Sequence, residues 1–132
     1  MTERSGTGSI AYTLGMGLLA LTIAPVQPPA HAQSADLVLC DRVAADPTDP
    51  DKPADVRGTG DILPSDIATA IKFCKVASAS SRRALYRLGR AYAANQQLPD
   101  AIGAYRRAAH KGSTAAMVEL RRAWTINRRE AR

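Results

Sequence analysis

The residues of this chain best suited to chemistry are two cysteines, Cys40 and Cys74, two histidines, His31 and His110, and a run of aspartates between residues 46 and 66. A zinc site takes three or four ligands at short spacings, and the chain has no C-x-x-C and no H-x-x-x-H to supply them. A Cys/His nucleophile needs a reduced thiolate beside a base. Cys74 instead falls on an apolar helix face and has a second cysteine to pair with. The aspartates at 49, 51 and 55 suggest calcium, but Pro50 and Pro53 interrupt them and the glycine that turns such a loop is missing. Gly58-Thr59-Gly60 follows no strand and reads as a turn, not a phosphate cradle. No catalytic, metal or cofactor site is expected, and the chain reads as a non-enzyme.

The pairing of the cysteines depends on where the chain resides. Arg4 precedes a mostly apolar run over residues 10–26, followed by Pro28, Pro29 and Ala30-His31-Ala32. The most apolar stretch, residues 14–24, is half the roughly 20 residues a membrane-spanning helix needs, and small residues at 30 and 32 fit signal-peptidase cleavage before Gln33. Residues 1–32 therefore read as a signal peptide, and only an uncleaved signal would attach the chain to a membrane. Cys40 follows Leu39, unlike the small residue a lipid-attachment site prefers. A periplasmic or secreted chain meets an oxidising compartment, where Cys40 and Cys74 are expected to form a disulfide.

The elements that must position these residues fall into two electrostatically opposite halves. Residues 33–66 carry eight aspartates against three basic residues, a net charge of −5; residues 67–132 carry 14 basic residues against three acids, a net +11. The acidic lead-in, residues 33–64, holds six prolines and glycines that deny the backbone a long helix or a central strand: Pro47, Pro50, Pro53, Gly58, Gly60 and Pro64. A short helix over residues 35–45 is expected there, a strand over residues 36–40 being the weaker alternative, then a loop to Pro64. The basic half reads as helical over residues 65–127. Ser65 is placed as an N-cap, Ile67, Ala70, Ile71, Cys74 and Ala77 share a face, and Ser81 caps a helix over residues 82–95. Pro99 opens the next helix, Gly112 closes it, and Ser113 caps a last helix to about residue 127, with a fraying basic tail at 128–132.

These helices repeat. Ala84-Leu85, Leu88, Ala91 and Tyr92 recur 32 residues later as Ala116-Met117, Leu120, Ala123 and Trp124, while Ala70-Ile71, Cys74 and Ala77 recur at an offset of 31 as Ala101-Ile102, Tyr105 and Ala108. Such a period is that of a helical hairpin repeat. The segment Leu85-x-x-Leu88-Gly89-x-x-Tyr92, then Ala101-x-x-x-Tyr105 and Ala108, resembles the tetratricopeptide repeat. With Asp100-Ala101, Tyr105-Arg106-Arg107-Ala108-Ala109 and Gly112 it resembles the Sel-like branch of that superfamily, of an exported bacterial type. The resemblance implies an all-α, short hairpin-repeat stack. Leu85, Leu88, Gly89, Tyr92, Ala101, Tyr105, Ala108, Leu120 and Trp124 would pack it, with Gly89 and Ala101 small where helices approach. Cys74 takes the place equivalent to Tyr105, so a bridge to Cys40 would pin the N-terminal segment across the open end as a cap.

The resemblance also implies function. If the first helix of each repeat faces a concave groove, Arg83, Tyr86, Arg87 and Arg90 share one exposed face, extended by Val118, Arg121, Arg122 and Thr125. Arginines can hold carboxylates bidentately, so this face would bind an acidic or extended peptide, making the chain a protein-interaction module or scaffold. The alternatives are a charge-driven binder of anionic lipid or polymer and a subunit of a larger assembly. The latter would associate through the C-terminal helix around Met117, Leu120 and Trp124, since two repeats fall short of the usual three. Nucleic acid is not an expected partner. The opposite charges of the halves would also attract each other, with the cysteine bridge fixing their contact.

Overall fold

A computed structural model describes residues 33–132; residues 1–32, where a signal peptide is expected, lie outside the described residues. The described chain is all-helical: α1 (Ala35–Ala44), a 3-10 turn (Pro64–Asp66), α2 (Ile67–Ala77), α3 (Arg82–Ala94), α4 (Leu98–His110) and α5 (Thr114–Glu130). Each helix packs on its neighbour in sequence, and α1 also reaches α3.

Local chemistry sets the boundaries. Ser34, Ser81 and Ser113 each accept a bond from the backbone N–H three residues on, satisfying one of the donors left open at the start of α1, α3 and α5. Gly112 ends α4 at φ +89°, where glycine avoids the Cβ clash of the left-handed region, and Ser113 N–H returns to the carbonyl of Ala108. The turn before α4 takes its positive φ (60°) at Gln96, without glycine. Two expectations are corrected. Ser65 sits inside the 3-10 turn and caps nothing, because Pro64 starts a turn that tightens before α2 begins. The helix α5 continues to Glu130 instead of fraying after residue 127, and the Arg128 guanidinium lies over the Trp124 ring, 5.5 Å from its centroid.

The core is built largely from alanines, which lets the helices approach closely. One cluster joins Cys40 and Ala44 of α1, Ala70, Cys74 and Ala77 of α2, and Ala84, Leu88 and Ala91 of α3. The second joins Leu85 and Tyr86 of α3, Ala101, Tyr105 and Ala108 of α4, and Ala116 of α5, with Tyr92 and Leu120 partly buried against it. Trp124 departs from the expected packing set. It is 64% exposed, because α5 has no further helix beyond it among the described residues.

Gly89 shows why one position in α3 must be small. The Tyr105 ring lies across it, where a Cβ would overlap the ring. That ring is itself buried and held 5.8 Å from the Tyr86 ring, so it has little room to retreat. Gly89→Ala is therefore expected to destabilise the fold by about 1–3 kcal/mol, although alanine is the better helix former. Urea unfolding measures this; an unchanged or raised midpoint would contradict the close approach.

Candidate functional site

The disulfide joins Cys40 of α1 to Cys74 of α2, with Cα atoms 4.8 Å apart and both residues fully buried. It anchors the acidic half, and the next residue in the chain shows what that half is anchored against. Asp41 is 1% exposed, and its carboxylate accepts from Arg87 Nη1 through one oxygen and from Arg83 Nη2 through the other, at 3.1 Å. Arg83 also donates to Gln33 Oε1 at 2.9 Å.

The row Arg83, Tyr86, Arg87 and Arg90 is thus not the open face the sequence suggests. Arg87 is 0% and Tyr86 2% exposed. The physical reason is that α3 is the central helix, packed against α2 and α4 on one side and covered by α1 and the acidic loop on the other. Tyr86 donates its hydroxyl to Asp46 Oδ2 at 2.6 Å. Arg90 donates to the carbonyls of Ala44 (2.7 Å), Thr59 (2.8 Å) and Gly60. Arg82, one residue outside the predicted row, grips Asp51 with two bonds of 2.7 and 2.6 Å. An acidic segment, part helix and part turned loop, does lie along these arginines, and it is the chain's own.

The loop itself is ordered by turns. Thr48 donates both its N–H and its hydroxyl to Asp46 Oδ1, Lys52 Nζ donates to the carbonyls of Pro53 and Val56, and Thr59 N–H returns to Ala45. Gly58 takes φ +79° where an added Cβ would come within 2.8 Å of Pro47 N, and Gly58-Thr59-Gly60 runs as irregular backbone with a bend at Gly60 where a turn was expected. Among the described residues no group of three or more His, Cys, Asp or Glu side chains could hold a metal ion.

Burial leaves electrostatic marks on this seam. Desolvation, with the charge of Arg90 added, lowers the Arg87 guanidinium to about 10, and its Nε and Nη2 have no hydrogen-bond partner. Desolvation, then the bond to Asp46, pushes the Tyr86 phenol far above its ordinary range. Desolvation works to raise Asp46, but the bonds from Tyr86 and Thr48 and the charge of Arg90 outweigh it and hold the carboxyl low. Desolvation raises Asp49, the bond from Asp51 N–H being outweighed, and the charges of Asp51 and Asp46 add to the rise.

The predicted partner-facing residues that the fold leaves open lie on α5. Val118 (42% exposed) and Ile126 (57%) floor a shallow depression of about 400 Å³ rimmed by Arg121, Arg122 and Thr125. Arg122 donates to Glu119 at 2.8 Å on the exposed surface. Of the eight residues expected to meet a partner, Val118, Arg121, Arg122 and Thr125 are therefore exposed together, and the four on α3 are committed internally. Sequence reasoning did not single out Asp41, Asp46 and Asp51 as the residues that satisfy α3. The opposed charges of the two halves were the available signal.

Fold and site together define an all-α, disulfide-braced helical domain whose acidic N-terminal segment is clasped by arginines of its central helix. No protein-family model, no curated protein and no solved structure matches this chain. The disulfide is compatible with an oxidising extracellular compartment, and among the described residues no helix is long and apolar enough to cross a membrane.

Proposed function

We propose that this chain is an exported helical-repeat protein of the Sel-like or tetratricopeptide kind that serves as a protein-interaction module, docking an acidic or extended segment on α5. The observation that carries the reading is the contrast between the two ends of the helix series. The N-terminal end is covered by α1 and closed by a buried disulfide, whereas among the described residues no helix covers α5, which leaves Val118, Arg121, Arg122, Trp124 and Ile126 exposed. The row on α3 supports the chemistry, since Arg90, which the 32-residue offset equates with Arg122, already holds the chain's own acidic segment through the carbonyls of Ala44 and Thr59.

The test is fluorescence anisotropy with a labelled aspartate-rich peptide and a neutral peptide of equal length. The aspartate-rich peptide is expected to bind better, and Arg121→Glu with Arg122→Glu to weaken it at least about tenfold while leaving the neutral peptide unchanged. Both arginines are exposed, so the fold tolerates the reversal. Equal binding of the acidic peptide before and after reversal would sink the docking face.

The arginines and apolar residues spread over α5 favour a second reading, a charge-driven binder of anionic lipid or polymer. That reading predicts binding that falls steeply with salt and is indifferent to which arginines are removed.

A further inference from the structure

The depression on α5 has a counterpart elsewhere in the same chain. Leu63 is 61% exposed at the entrance to the 3-10 turn, with exposed Asp61 two residues before it and half-buried Asp66 three residues after. An apolar tip bracketed by carboxylates complements an apolar floor of Val118 and Ile126 rimmed by Arg121 and Arg122, both in polarity and in sign of charge. Leu63 does not fill its own chain's depression, since it remains largely exposed.

The placement of the two features matters as much as their chemistry. Asp61 and Arg122 line one cleft between the acidic loop and α5, so the tip and the depression lie on adjoining parts of one surface. A two-fold axis through such a surface brings each copy's tip to the other's depression, so that both contacts form at once. Composition agrees. From Thr114 to the C-terminus the basic residues are five arginines with no lysine, accompanied by Met117 and Trp124, the side chains favoured in protein interfaces over lysine.

We propose that the α5 face takes residues 61–66 of a second copy of this chain, giving a reciprocal two-fold dimer. This rests on the reading of α5 as the docking face and names the acidic segment that occupies it.

Sedimentation velocity on the disulfide-intact chain, from micromolar to millimolar protein, tests it with two surface variants, Leu63→Lys and Val118→Asp, whose folding is checked by circular dichroism. The wild type is expected to shift from monomer to dimer with concentration, and each variant to weaken the dimer at least about tenfold. An equimolar mixture of the two variants should recover part of the association, because the heterodimer keeps one intact pair: Leu63 of the Val118→Asp copy on α5 of the Leu63→Lys copy. A wild type that stays monomeric, a dimer unmoved by Leu63→Lys, or a mixture that recovers nothing would each overturn the proposal. A monomer that still binds the aspartate-rich peptide through Arg121 and Arg122 overturns the dimer and leaves the docking face standing. A dimer that forms as described, with peptide binding insensitive to those arginines, supports the copy contact and overturns docking of free acidic peptides.

Discussion

Asp41→Ala is expected to destabilise the fold by about 3–5 kcal/mol, the cost of leaving one member of a buried ion pair without its partner. Arg87 is fully buried, two of its guanidinium nitrogens already lack partners, and Asp41 supplies the carboxylate for both Arg87 and Arg83. Removing that carboxylate leaves a buried cation that neither water nor another acid reaches. Small domains have only about 5–15 kcal/mol of stability, so the variant stands near the edge of folding, with Tm lowered by about 12 °C or more. The control is the apolar pair Asp41→Leu with Arg87→Met, which removes both charges and is expected to recover most of the loss. Urea unfolding reads both. A cost under about 1 kcal/mol for Asp41→Ala would mean that the pair is not buried as described.

Cys40→Ala with Cys74→Ala is expected to have an effect of similar size. The bridge closes a loop of 34 residues, and in the chain-entropy view its removal costs about 4 kcal/mol by freeing the unfolded chain. The sulfurs lie inside the core, so small cavities add to that cost. The two changes also act on one segment. Cys40 and Asp41 are adjacent, and once the bridge is gone α1 can lift from α3 and let Arg87 reach water. Losses from Asp41→Ala and from the cysteine pair are therefore expected to sum to more than the combined variant shows, and a double-mutant cycle in urea measures the difference. Full additivity would show that the bridge and the ion pair hold α1 independently.

Much of the fold was legible in the sequence because it rests on local signals. Serine caps at 81 and 113, Pro99 and Gly112 bounded α3, α4 and α5 closely, and the spacing of Ala70, Cys74 and Ala77 marked the buried face of α2. Two cysteines with no other partner made their pairing readable. The site was read in part. Arg83, Tyr86, Arg87 and Arg90 share a helix face as their spacing implies, but spacing does not say what lies over that face. A repeat pattern leads to the expectation that helices alone cover helices, whereas here an irregular, proline-broken segment does so through carbonyls and single carboxylates that no periodicity reports. The exposure of Trp124 was hidden for a related reason. The 32-residue offset leads to the expectation that it faces inward, whereas among the described residues no helix follows α5 to cover it.

The clasp between α1 and α3 also orders events in time. Its bonds join residues far apart in sequence, 46 between Arg87 and Asp41 and 40 between Tyr86 and Asp46, whereas α2 to α5 mainly pack on immediate neighbours. Contacts of short loop length close first, because each longer loop must lose more chain entropy before any contact rewards it. During synthesis the acidic segment emerges before any of the arginines it will meet, and its net charge of −5 and broken backbone keep it solvated and unstructured while it waits. The helices from α2 onward are thus expected to assemble first as a template, with α1 closing over it last.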